Sequence, residues 1–368
     1  MAINIGIVGL PNVGKSTLFN ALSAAGAEAA NFPFCTIEPN VGVVPVPDPR
    51  LDELARIYAS KNVIPTSLEF VDIAGLVRGA AAGEGLGNKF LSHIRQVHAV
   101  AHVVRCFEDE NIAHVEGSVD PIRDVETIET ELALADLESV ERRIEKMQRQ
   151  AKAPGKAGDA ARAELEVLTP LKAHLDAGGQ ARTFEHEGAA EVLRELFLLT
   201  AKPVMYVANV AEEAAAEPEA VPFVQRLLER GRAVGAPVLC ISAAIEAELT
   251  DLPEEERAEY LDSLGLSEPG LHKVIRAGYD LLGLITFFTA GEKETRAWTV
   301  RRGATAPEAA GVIHSDFQRG FIRAEVCRWE DLVALGSEAE VKAAGKLRIE
   351  GKDYVVQDGD VMHFRFNV

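Results

Sequence analysis

The chain has 368 residues, enough for two or three domains, and is 47% hydrophobic and 26% charged, which excludes collagen-like, disordered and membrane-embedded classes. Its net charge is −19, so bulk electrostatics argue against nucleic-acid binding. That charge is uneven, because residues 284–368 hold 12 Lys and Arg against 13 Asp and Glu and leave −18 to the first 283 residues.

The N-terminus lacks a basic segment and a long apolar run, and no stretch approaches the ~20 apolar residues that span a bilayer. Cys35, Cys106, Cys240 and Cys327 are scattered without metal or disulfide spacing, which fits a reducing cytoplasm. Short apolar runs at Ile3–Val8, Val41–Val46, Leu68–Asp72 and Val100–Val104 read as strands separated by helical patterns. Two more follow at Pro203–Ala208 and Pro237–Ile241. Such alternation predicts an α/β fold with a mostly parallel sheet, and ligands bind at the C-terminal ends of its strands.

From 121 to 201 the pattern is helical. Leu137, Val140, Ile144, Met147 and Ala151 step by three and four, the apolar seam of a coiled coil. The run Ala153-Pro-Gly-Lys-Ala-Gly158 breaks that helix, and a second resumes through Leu165, Leu168, Leu171 and Leu175. Two antiparallel helices result, as a protruding arm or as a subdomain on the sheet. Beyond Gly283, short strands at Leu284–Ala290, Thr295–Val300, Gly320–Val326, Leu347–Ile349, Lys352–Val355 and Val361–Phe366 surround one helix at Ala306–Asp316, a small α+β domain. The expected domains are residues 1–122 and 201–283 for the nucleotide unit, 123–200 for the helical insertion and 284–368 for the C-terminal domain.

Gly9-Leu-Pro-Asn-Val-Gly14-Lys15-Ser16 fits G-x-x-x-x-G-K-[ST] between a strand and a helix. Its glycines let backbone N–H groups turn inward around phosphate oxygens, Lys15 reaches the β- and γ-phosphates, and Ser16 holds Mg²⁺. Asp72-Ile-Ala-Gly75 ends the third strand in D-x-x-G, where the acid meets a magnesium-bound water and the Gly75 N–H meets a γ-phosphate. Residues 75–87 contain five glycines, a segment ordered by ligand. Thr36 stands where a switch threonine completes a Mg²⁺ shell, or is an ordinary loop hydroxyl. Cys35 beside it is a small loop residue or a redox-modifiable one.

A GTPase needs N-K-x-D after the fifth strand, and this chain has Asn209-Val210-Ala211-Glu212. The longer Glu212 carboxylate departs from the fork that pairs guanine N1 and N2, and Val210 offers an apolar face to a base. This favours ATP over GTP, because an unpaired carboxylate costs roughly 1–3 kcal/mol. Ser242 and Ala243 match the loop that closes over the base. In the water-positioning place after D-x-x-G stands Leu76, which cannot orient water, so His93, His98, His102 and His114 become candidates and Arg78 and Arg95 candidate charge neutralisers. The four-residue spacing of His98 and His102 at a strand argues against a zinc pair.

These motifs, in this order, resemble the Obg-like ATPases, the YchF family of translation-factor P-loop NTPases, over essentially the whole chain. The resemblance implies a P-loop G domain, an inserted coiled-coil arm and a C-terminal TGS-like β-grasp domain. It further implies slow Mg²⁺-dependent ATP hydrolysis, with phosphates bound by Asn12, Val13, Gly14, Lys15, Ser16 and Thr17. Mg²⁺ falls to Ser16 and Thr36, the base to Val210, and the catalytic role to His114. It also implies association with the ribosome, through its large subunit, and with RNA; a cytoplasmic monomer that makes no membrane contact is expected. Two other readings stay open: a nucleotide-gated binding module whose turnover is incidental, and an Obg-type GTPase.

Overall fold

The computed structural model describes residues 3–28, 40–74 and 86–367. The chain opens with β1 (Asn4–Val8), α1 (Lys15–Glu28), β2 (Val41–Pro45), α2 (Pro49–Tyr58), β3 (Asn62–Ile64) and β4 (Ser67–Asp72). It continues through α3 (Leu86–Gln96), β5 (Ala99–Arg105), α4 (Pro121–Gln150), α5 (Lys156–Asp176) and α6 (Ala189–Leu196). Next come β6 (Val204–Asn209), α7 (Pro222–Val234), β7 (Val238–Ile241), α8 (Ala243–Asp251), α9 (Glu254–Ser263) and α10 (Gly270–Leu281). The C-terminal part holds β8 (Leu284–Thr289), β9 (Glu294–Arg301), α11 (Ala306–Ile313), α12 (Ser315–Arg319) and β10 (Phe321–Arg328). It closes with α13 (Trp329–Leu335), α14 (Glu338–Ala343), β11 (Arg348–Glu350) and β12 (Asp360–Phe366).

Two compact units result, one of residues 1–43 and 69–274 and one of residues 44–68 and 275–368. The first is built on a sheet ordered β2-β4-β1-β5-β6-β7. β1 pairs in parallel with β4 and β5, and β6 pairs in parallel with β5 and β7. β5 and β6 are buried at every position, as apolar strands covered on both faces must be. The C-terminal edge of this sheet therefore gathers the loops after β1, β4, β5, β6 and β7.

The predicted seam forms. Val140 and Met147 on α4 are buried with Ala161, Leu168, Leu171 and Leu175 on α5, and Leu137, Ile144 and Ala151 pack against them. The bidentate pair Arg143–Glu164 ties the two helices along the flank of that seam. The earlier half of α4 does something else, since Val125, Ile128 and Leu132 are buried and the helix packs on β5 and α7. One 30-residue helix, about 45 Å long, thus serves both the sheet and the hairpin.

The second unit has a sheet ordered β11-β10-β12-β8-β9-β3. β8 and β9 form an antiparallel hairpin, and β12 returns parallel to β8 in the middle, the arrangement of a β-grasp sheet. Three details differ from expectation. Residues 44–68, expected within the first part of the nucleotide unit, join this second unit because β3 pairs in parallel with Glu294–Arg296 and Leu51 and Leu54 pack on Phe288 and Val361. Lys352–Val355 is not a strand and contributes one isolated bridge, Val355 to Thr305. The single helix expected over Ala306–Asp316 is two, because His314 is extended at φ −160° and its ring accepts from the Asp316 N–H to start α12.

Candidate functional site

The loop after β1 holds the phosphate motif. Asn12 adopts φ +63° and Gly14 φ +91°, left-handed conformations that turn the loop back on itself. A Cβ at Gly14 would collide with the Asn209 amide, so only glycine lets the loop pass that close. Val13 is buried, and its carbonyl accepts from Asn209 Nδ2 at 2.9 Å. The Asn209 Oδ1 in turn accepts from the Ala243 N–H at 2.9 Å. One buried amide at the tip of β6 therefore joins the loops after β1 and β7.

Lys15 opens α1 and its ammonium is ion-paired with Asp72 at the end of β4. Ser16 and Thr17 are exposed on the first turn of the same helix. Two hard oxygen donors, Ser16 Oγ and the Asp72 carboxylate, flanking a lysine at a helix N-terminus are a donor set suited to Mg²⁺ carried on a polyphosphate. Thr36 and Gly75, along with Leu76, Arg78 and Cys35, lie outside the described residues.

A cavity of about 600 Å³ opens beside this loop. Asn12, Gly14, Thr17, Asn209, Val210, Glu212, Ser242 and Ala243 all line it, so eight residues singled out from the sequence converge on one space. Val210 lines it while only 2% exposed, its N–H held by the Ile241 carbonyl. Ser242 Oγ is buried and without a hydrogen-bond partner among the described residues, a polar atom left over for a ligand. The lining also includes Phe107, Glu108, Asp109 and Ile112 from the loop after β5. Sequence reasoning missed these four. The only signal for them was their place after a parallel strand, where ligand loops gather.

His114 does not line the cavity, although Ala113 beside it accepts from Asn12 Nδ2 at 3.1 Å. Its Nδ1 accepts from the Glu116 N–H at 3.1 Å, which leaves Nε2 to donate to Asp124 at 2.8 Å. Both ring nitrogens are therefore engaged. The other candidate histidines stand apart: His93 is exposed on α3, His98 bonds to Asn4 and His102 is buried against Tyr206. Burial lowers the His102 pKa to about 4, with Glu129 opposing the shift and Arg182 assisting it.

A glycine-rich strand–helix turn with lysine and serine, an acid at the adjacent strand tip and an adjoining cavity of about 600 Å³ lined by an asparagine define a P-loop nucleotide-binding protein of the G-domain type. A family model described as a 50S ribosome-binding GTPase matches residues 4–153, and the YchF-GTPase_C model, described as a protein of unknown function, matches residues 284–367. The chain is 56% identical to the protein named ribosome-binding ATPase YchF in Haemophilus influenzae and equally to that in Bacillus subtilis, each over 100% of both chains. A solved structure titled as the Schizosaccharomyces pombe YchF GTPase superposes with a TM-score of 0.88 at 39% identity, covering 99% of this chain and 97% of that one. The chain belongs to the YchF family.

Proposed function

We propose that this chain is a Mg²⁺-dependent ATP-binding switch that hydrolyses ATP slowly and associates with the ribosome in the cytoplasm. The observation that carries the nucleotide choice is the cavity wall after β6, where Val210 and Glu212 replace the lysine and aspartate of a guanine site. Phe107 and Ile112 add apolar side chains to the cavity lining, which suits a purine ring with few polar demands. Asn12 to Thr17 would cradle the triphosphate. Ser16, Thr36 and Asp72 would hold Mg²⁺, which when bound would neutralise charge on the β- and γ-phosphates. Lys15 exchanges Asp72 for phosphate oxygens on binding, and Gly75 is assigned the γ-phosphate contact.

The names carried by its relatives support ribosome association, with the large subunit and RNA as the contacts assigned to the helical hairpin and the C-terminal domain of a monomer. Among the described residues no helix is long and apolar enough to cross a membrane. The test is calorimetry with Mg-ATP and Mg-GTP side by side. ATP tighter by about tenfold or more supports the reading, and equal or reversed affinities reject it in favour of a GTPase.

One observation favours a second reading, a nucleotide-gated binding module with incidental turnover. Both His114 nitrogens are occupied, so the imidazole orients water only after giving up the Glu116 N–H. Single-turnover hydrolysis by His114→Ala separates the two. An unchanged rate selects the binding module, and a loss of about 100-fold selects the hydrolytic switch with His114 as its water-orienting group.

A further inference from the structure

Arg105 ends β5 opposite Asn209, its register partner at the end of β6. It is 1% exposed and heads the ranking of fully buried side chains by volume among the described residues. Burying a guanidinium is costly unless its donors are satisfied. Here they are satisfied by the backbone of one loop: Nε donates to the Phe107 carbonyl at 3.1 Å, one terminal nitrogen to Ile112 at 3.0 Å and the other to Asp109 at 3.3 Å. The guanidinium also lies 4.6 Å from the centre of the Phe107 ring, within cation–π distance.

The loop so gripped borders the same cavity as Val210 and Glu212, since Phe107, Asp109 and Ile112 all line that space. It has no regular secondary structure apart from a turn, and Asn12 holds its far end through Ala113. A loop of this kind has little of its own to fix its shape. A rigid planar fork with five donors can hold three spread-out carbonyls in fixed directions, whereas the three donors of lysine radiate from one point on a flexible stem and an apolar residue has none.

We infer that Arg105 is the positioning residue for nucleotide specificity: from beneath the 107–112 loop it sets the base-side wall of the cavity without lining the cavity itself. The phosphate side takes its support from the loop after β1 and its bond to Asn209, and it meets the 107–112 loop through Asn12 and Ala113, so a probe without a base reads that side by itself. This inference rests on the reading of the cavity as a nucleotide site.

The experiment measures affinity of the full chain and of Arg105→Gln and Arg105→Lys for Mg-ATP, Mg-GTP and Mg-tripolyphosphate. The last probe has no base. Both variants are expected to bind ATP about tenfold more weakly and to bring the ATP-to-GTP ratio toward one, while tripolyphosphate affinity stays within about twofold. A merely structural role would weaken all three ligands together, and that result, or unchanged discrimination, overturns the assignment. Arg105→Lys keeps the buried cation and serves if the glutamine variant does not fold. Amide exchange without nucleotide provides a separate arm: residues 107–113 are expected to exchange faster in the variants while β6 and β7 keep their protection. Unaltered exchange at 107–113 also overturns the assignment. If the unmodified chain binds ATP and GTP alike, the reading of the site as adenine-selective fails, and the exchange arm still decides whether Arg105 holds the wall.

Discussion

The side-chain amide of Asn209 donates to the Val13 carbonyl while its oxygen accepts from Ala243, both at 2.9 Å and both buried. The asparagine is thereby the crosspiece between the loop after β1 and the loop after β7. Asn209→Asp replaces the donor by a second acceptor facing the Val13 carbonyl, and Asn209→Ala leaves a buried carbonyl and a buried N–H unpaired. Either change is expected to cost about 2–4 kcal/mol of stability and to weaken Mg-ATP binding, with the aspartate the worse of the two. Thermal melts with and without Mg-ATP check both effects. A stable aspartate variant with normal affinity would show that the crosspiece is dispensable.

Lys15 without nucleotide is paired to Asp72, each side chain partly buried. Removing one member of such a pair leaves the other charge without its partner, and the cost rises with burial. Lys15→Met is expected to reduce Mg-ATP affinity by about 10- to 100-fold, the loss of one charge-assisted contact to phosphate, and to lower the stabilisation that Mg-ATP confers accordingly. Asp72→Asn is expected to weaken the Mg²⁺ dependence of binding more than binding itself. Titrations at fixed ATP and varied Mg²⁺ distinguish the two variants.

The arrangement around the loop after β1 was legible because the motif demands particular residues at fixed spacing, with Gly14 at a left-handed turn, Lys15 and Ser16 on the first helical turn and Asp72 at a strand tip. The sheet was legible for a similar reason, since strands buried on both faces read as unbroken apolar runs such as Val100–Val104. The loop after β5 was not. Phe107 and Ile112 line the cavity, and the bonds that tie their backbone carbonyls to Arg105 leave no sequence pattern. β3 was missed because three residues are too few to show alternation, and it exists only through its pairing with β9. Lys352–Val355 had the composition of a strand, but the chain turns there, with Val356 N–H bonded to Ala304 and the Gln357 N–H bonded to Asp360.

His102 sits inside the first unit at 2% exposure, and burial, opposed by Glu129 and assisted by Arg182, depresses its pKa from 6.5 to about 4. Between those values the unfolded chain takes up a proton that the folded chain refuses. Stability therefore falls as pH drops through that window, by up to about 1.4 kcal/mol per pH unit and on the order of 3 kcal/mol in all from this group. His102→Leu removes the titrating group and is expected to flatten that part of the profile. Urea midpoints between pH 7.5 and 4.5 for both proteins provide the check, and parallel profiles would mean that other groups govern acid sensitivity.

Leu168 is fully buried in the seam between α4 and α5, among Val140, Met147, Leu171 and Leu175. Leu168→Ala is expected to cost about 2–5 kcal/mol locally, the loss of apolar burial plus the cavity left behind. The hairpin is joined to the rest of its unit chiefly through the earlier half of α4, so the damage should stay in the hairpin. Faster protease cleavage at 151–155, the turn between the two helices, with Mg-ATP affinity held within about twofold, is the expected pattern. If nucleotide affinity drops in step with protease resistance, the hairpin and the nucleotide site fold as one cooperative body. Any ribosome contact made by the hairpin would then be felt directly at the phosphate loop.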